Sequence, residues 1–88
     1  MCRNIRPLFN FEPPVTEGEV RNAALQFVRK ISGATKPSKV NEPAFEAAVA
    51  EVTESCQRLL RSMVTTAPPK DRETEALKAK ERARRRFA

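Results

Sequence analysis

Histidine, tyrosine and tryptophan are all missing from the 88 residues, Asp71 is the lone aspartate, and there are two cysteines and two glycines. Each shortage removes a class of chemistry. Without histidine there is no Ser-His-Asp triad and no imidazole acid–base pair. Structural zinc takes four Cys or His ligands at short spacings. Cys2 and Cys56 stand far apart, so no metal site and no cofactor is expected. Phosphate-cradling loops need glycine, and Gly18 and Gly33 read as helix-end residues. Two cysteines do not make a disulfide scaffold. No apolar run of about 7–15 residues follows Arg3 and Arg6, so neither a secretory signal nor a membrane span is expected, and a reducing cytoplasm is the expected location.

What remains is a small helical composition. A chain of this length buries only roughly 60–65% of its unfolded surface, so stability should be modest and a partner would help. Val, Ile, Leu and Phe make up about a fifth of the residues, near the lower limit for a folded domain. The net charge of +6 is uneven: residues 70–88 hold eight Lys or Arg against four Asp or Glu. The expected organisation is therefore an arm plus two-helix core over residues 1–69, followed by a basic C-terminal helix over 70–88, docked on the same domain or detached from it.

The opening segment carries Ile5, Leu8, Phe9 and Phe11 between Pro7 and the pair Pro13-Pro14. It is too short and too proline-marked for a long helix. It reads as an arm with room for one helical turn, whose Leu8, Phe9 and Phe11 lie across the helices and complete the core. The phrases Met1-Cys2-Arg3-Asn4-Ile5, Leu8-Phe9-Asn10-Phe11-Glu12-Pro13-Pro14 and Ala23-Ala24-Leu25-Gln26-Phe27-Val28-Arg29-Lys30 stand out. So do Ser32-Gly33, Lys36-Pro37-Ser38, Ala67-Pro68-Pro69 and the Arg86-Phe87 ending. With these phrases the chain resembles the short bacterial proteins of domain-of-unknown-function family 2277. Val15, where a smaller residue is expected, is a mild departure. The resemblance covers nearly the whole chain and carries no activity, cofactor or partner with it.

Three helices are punctuated. Thr16 with Glu19 makes a capping box, and Val15 with Val20 a hydrophobic staple. Val20, Ala23, Ala24, Phe27, Val28 and Ile31 then keep helical spacing. Arg29 and Lys30 suit the negative end of the dipole, and Gly33 supplies a left-handed cap. The first helix is placed at about 17–32. The link from Gly33 to Val40 exceeds the three or four residues of a DNA-reading helix-turn-helix, which is disfavoured. The second helix starts at Asn41, with Pro43 in its first turn and Val40 and Phe45 as a second staple. Phe45, Val49, Val52, Cys56, Leu59 and Met63 form a heptad seam, widened by Ala48 and Leu60. That seam faces the first helix and the arm, or a second copy in a homodimer. Pro68 and Pro69 end this stretch. A third helix runs from about Asp71 to Arg86 with only Ala76, Ala79, Ala83 and Phe87 as its apolar face and Leu77 to one side, so it should pack weakly.

The expected fold is thus all-α: a small three-helix protein with an apolar N-terminal arm and a basic, weakly packed C-terminal helix. The carboxylates Glu51 and Glu54 read as solvated surface, and Cys56 as a small buried hydrophobe. The basic helix carries Lys78, Lys80, Arg82, Arg84, Arg85 and Arg86, with Glu81 set to pair with Arg85. These six cations point to an anionic partner, nucleic acid or an acidic protein. The preferred reading is a non-catalytic interaction protein. Two alternatives stand beside it: a thiol-based sensor or enzyme centred on Cys2, whose thiolate the terminal ammonium and Arg3 would favour, and a structural subunit of a larger complex.

Overall fold

In the computed structural model, which describes residues 5–87 (the last of these in its backbone only), the first helix, α1, spans Glu17–Ser32. Its start is the expected capping box. The Glu19 N–H donates to Thr16 Oγ1 at 3.2 Å, and the Thr16 N–H donates to Glu19 Oε1 at 3.0 Å. Its end is Gly33 at φ 71°, whose N–H donates to the Arg29 carbonyl at 3.0 Å. Arg29 also reaches forward, its Nε donating to the Thr35 carbonyl at 3.0 Å.

A single 3-10 turn over Lys39–Asn41 leads into α2, Glu42–Ser62, with Pro43 in the first turn as expected. Two details of this junction differ from the sequence reading. The Asn41 side chain does not cap the helix; its Nδ2 donates to Ser38 Oγ at 3.1 Å, because the preceding turn already holds Asn41 in helical geometry. The second staple does not form either, since Val40 points outward and is 83% exposed.

α1 and α2 pack through rows of four-residue spacing: Val20, Ala24 and Val28 on one, Phe45, Val49 and Thr53 on the other, all buried. Leu25, Ala48 and Val52 are packed against this core. The buried Thr53 satisfies its hydroxyl by donating to the Val49 carbonyl at 2.6 Å. The heptad seam read from the sequence is only partly used. Leu59 is 57% and Met63 44% exposed, Cys56 is half-buried, and on α1 Phe27 and Ile31 are exposed. The buried row of each helix advances in steps of four residues rather than in the alternating steps of a heptad seam, and the ends of both apolar stripes stay uncovered.

The arm forms no helical turn in its described part. Phe11–Glu12 is instead a two-residue strand, β1, and it pairs in parallel with Lys70–Asp71, β2, with Phe11 opposite Lys70 and Glu12 opposite Asp71. The sequence held no sign of this pairing. It is set by Asn10, which adopts the left-handed conformation at φ 64°. Its carbonyl accepts the Lys70 N–H at 2.8 Å, and its side-chain amide donates to the carbonyls of Ala67 and Pro68 at 3.3 and 3.2 Å. Two of the phrases that carry the family resemblance, the arm and Ala67-Pro68-Pro69, are therefore the two sides of one junction. Leu8, Phe9 and Phe11 are half-buried there and line a gap with Val20 at the start of α1 and Leu60 near the end of α2; contrary to expectation, they do not join the buried core between α1 and α2.

The last helix, α3, spans Arg72–Phe87 and leaves the body directly from β2. Three helices and this small two-stranded pairing make a mostly all-α protein, 44 × 38 × 18 Å across. No described helix is long and apolar enough to cross a membrane.

Candidate anion-binding surface

α3 is started by Asp71. The Asp71 Oδ2 accepts the Thr74 N–H at 3.1 Å and the Thr74 hydroxyl at 2.5 Å, the bonding of an N-cap residue. Those bonds hold the Asp71 carboxyl below its usual range, the Thr74 hydroxyl contributing most and the Thr74 and Glu73 N–H groups adding to it. One residue on, Arg72 pairs with Glu19 of α1. Past this first turn α3 meets the body only through Ala79 and its neighbours beside the arm; Ala76, Leu77 and Ala83 are exposed. An alanine face offers little area to bury, which is why the helix stands away from the core.

The six cations named from the sequence all lie on the exposed part of α3. Half of them are paired along the helix. Lys78 sits 3.3 Å from Glu75, Arg84 sits 2.6 Å from Glu81, and Arg85 sits 3.3 Å from the same carboxylate. Lys80, Arg82 and Arg86 have no carboxylate partner among the described residues. Over Lys78–Arg86, six cations face the single carboxylate of Glu81, along roughly 13 Å of helix.

A second feature was not legible in the sequence. The arm and α3 enclose a cleft of about 350 Å³. Its apolar walls include Leu8, Phe11, Val15, Ala76 and Ala79, and its charged groups are Arg6, Lys70, Arg72 and Arg82 with Glu19 and Glu75. The Lys70 ammonium lies 5.6 Å from the centre of the Phe11 ring, within cation–π range. Arg6 comes from the arm and Arg82 from the third turn of α3. No local pattern links them, and only the β1–β2 pairing brings them to one place. A larger gap of about 470 Å³ lies between the arm and the ends of α1 and α2. Its charges are one Glu17 and one Arg61, so it has no sign preference.

Chemically, this surface can hold anions through charge-assisted hydrogen bonds. Glu19 and Asp71 are both pushed down, towards the ionised form. Among the described residues no group of three or more Cys, Asp or Glu is placed to hold a metal ion. Cys2 lies outside the described residues; Cys56 is a free thiol, half-buried on α2. Glu51 and Glu54 are exposed as expected, Glu54 pairing with Arg58 at 3.2 Å.

Fold and site together define a small all-α protein with an arm stapled to the base of an exposed basic helix. The chain belongs to the family described as "Uncharacterized conserved protein (DUF2277)", whose model matches residues 1–78. The match takes in the arm, both core helices and the β1–β2 junction. It ends at Lys78, so most of the basic stretch and the Arg86-Phe87 ending lie outside the matched residues. No curated protein and no solved structure matches the chain.

Proposed function

We propose that this chain is a non-catalytic interaction protein that holds a nucleic-acid phosphate backbone on α3. The observation that carries the reading is the run of six exposed cations from Lys78 to Arg86, of which Lys78 is paired with Glu75, Arg84 and Arg85 share Glu81, and Lys80, Arg82 and Arg86 have no carboxylate partner among the described residues. Phosphates reward such a run directly, because each neutralised charge releases a counterion. An acidic protein would need buried anchors as well as charge. α3 exposes only Leu77 as a large apolar side chain among its described ones, so nucleic acid is favoured. With no aromatic described on that face to stack on bases, binding should tolerate any sequence.

The test is fluorescence anisotropy with labelled duplex DNA and single-stranded RNA at several salt concentrations. Four to six phosphate contacts give a slope of log affinity against log salt of about −3.6 to −5.4 on duplex DNA. The double variant Lys80→Glu and Arg86→Glu, which disturbs no described ion pair, should weaken binding at every salt and flatten the slope. Absence of binding at low salt would sink the reading. A homodimer through α2 is the second partner in this proposal, favoured by the exposure of Leu59 and Met63 on the expected seam. Sedimentation equilibrium checks it, with Leu59→Lys expected to leave a monomer.

A further inference from the structure

The cleft between the arm and α3 has a charge imbalance that the fold does not resolve. Of its four cations, Arg72 is engaged by Glu19, and Lys70 lies over the Phe11 ring. Of its two carboxylates, Glu19 is spent on Arg72 and Thr16, and Glu75 on Lys78. Arg6 and Arg82 remain, one on each side, with no carboxylate partner among the described residues. Between them the surface is hydrocarbon and ring: Leu8 and Phe11 from the arm, Ala76 and Ala79 from α3. The alanines create the space, since any longer side chain at those positions would reach across towards the arm.

A guanidinium pair above an apolar floor selects for a particular kind of molecule. A neutral hydrophobe satisfies the floor and leaves both guanidinium groups with water. Inorganic phosphate satisfies the guanidinium groups and leaves the floor wet. At about 350 Å³ the cleft is at the small end of ligand pockets, which run roughly 300–1,000 Å³. We infer that the cleft is a binding site for a small amphipathic anion, an apolar body carrying one carboxylate or phosphate head. The head bridges Arg6 and Arg82 by charge-assisted hydrogen bonds, and the body lies on Leu8, Phe11 and the alanines. Because the walls come from the arm and from α3, occupancy ties the basic helix to the body. The site stands independently of the polyanion reading, with which it shares only Arg82.

The test uses the full ¹⁵N-labelled chain, titrated separately with octanoate, phenyl phosphate, octan-1-ol and inorganic phosphate while amide shifts are followed. Octanoate or phenyl phosphate should shift Leu8, Phe11, Ala76 and Ala79 saturably, and the tighter of the two identifies the head and body the site prefers. Octanol and inorganic phosphate at the same concentrations should not. The double variant Arg6→Gln and Arg82→Gln should lose tenfold or more in affinity. Ala79→Leu, which fills the cleft and favours helix, should abolish binding with the circular dichroism unchanged. The Lys80→Glu and Arg86→Glu variant should bind octanoate like the parent, so failure to bind DNA and failure of this site are separable. No saturable shift at millimolar ligand, equal binding of octanol, or full affinity in the arginine double variant would each overturn the inference.

Discussion

Arg72, the first residue of α3, is ion-paired with Glu19, the carboxylate that closes the capping box of α1. One side chain thus serves the start of the first helix and the attachment of the last. The Glu19 carboxyl is held below its usual range chiefly by the Thr16 N–H, with Arg72 and the Thr16 hydroxyl adding to it and partial desolvation opposing.

That lowering has a pH signature. Glu19 and Asp71 both have depressed folded-state values, so the unfolded chain takes up protons first as acid is added. Their contribution to stability is present above the ordinary carboxylate range, about pH 4–4.5, and is lost as the pH falls through the lowered folded values. Urea midpoints followed by circular dichroism at neutral pH and across the acid range should fall on the acid side. Glu19→Gln should make that fall shallower; an unchanged pH profile would show that the box and its ion pair contribute nothing to folding.

The Asn10 junction separates two effects. Asn10→Ala removes the amide bonds to Ala67 and Pro68 and also places an ordinary residue at φ 64°. The expected loss is about 1–3 kcal/mol, from exposed hydrogen bonds of modest net value and a left-handed penalty of about 1–2 kcal/mol. Asn10→Gly keeps the backbone freedom and loses only the amide, so it should be the milder change. Chemical denaturation of both variants measures the difference.

In the core, Val49 is 1% exposed and lies between Phe45 and Thr53 on the buried row of α2. Val49→Ala deletes two methyl-sized groups and leaves a gap, costing about 2–3 kcal/mol. In a protein this small, that loss should lower the thermal midpoint by 10 °C or so. Leu59→Ala, at an exposed position of the same helix, should change it far less.

Gly33 provides a clean measure of backbone strain. A β-carbon there would meet nothing within 4 Å, yet φ is 71°. Gly33→Ala should therefore cost about 1 kcal/mol through the backbone alone, and Gly33→Asn less, since asparagine tolerates this conformation. Equal stability of all three proteins would mean that the α1 cap is not under selection by φ.

The residues themselves determined much of what is decided within a turn or two of chain, although the Asn41 cap and the Val40 staple, equally local, did not form. Thr16, Glu19 and Gly33 set the limits of α1, Pro43 sits in the first turn of α2, and the alanine face of residues 76–83 makes α3 a poorly packed helix. Lys78 to Arg86 were legible as exposed cations for the same reason, because a helix with nothing to bury shows its charges. Tertiary structure alone decided how these pieces meet. Which apolar residues are covered depends on how α1 and α2 pack, and Phe27, Ile31, Leu59 and Met63 are left exposed although their periodicity matches that of their buried neighbours. The arm's strand depends on a left-handed Asn10 finding carbonyls nearly sixty residues away. Arg6 and Arg82 line one cleft only because that pairing forms. Local capping and turn preferences act over a few residues and are written in order along the chain. Strand pairing, helix crossing and the meeting of distant charges are set by packing in three dimensions, and no spacing in the sequence records them.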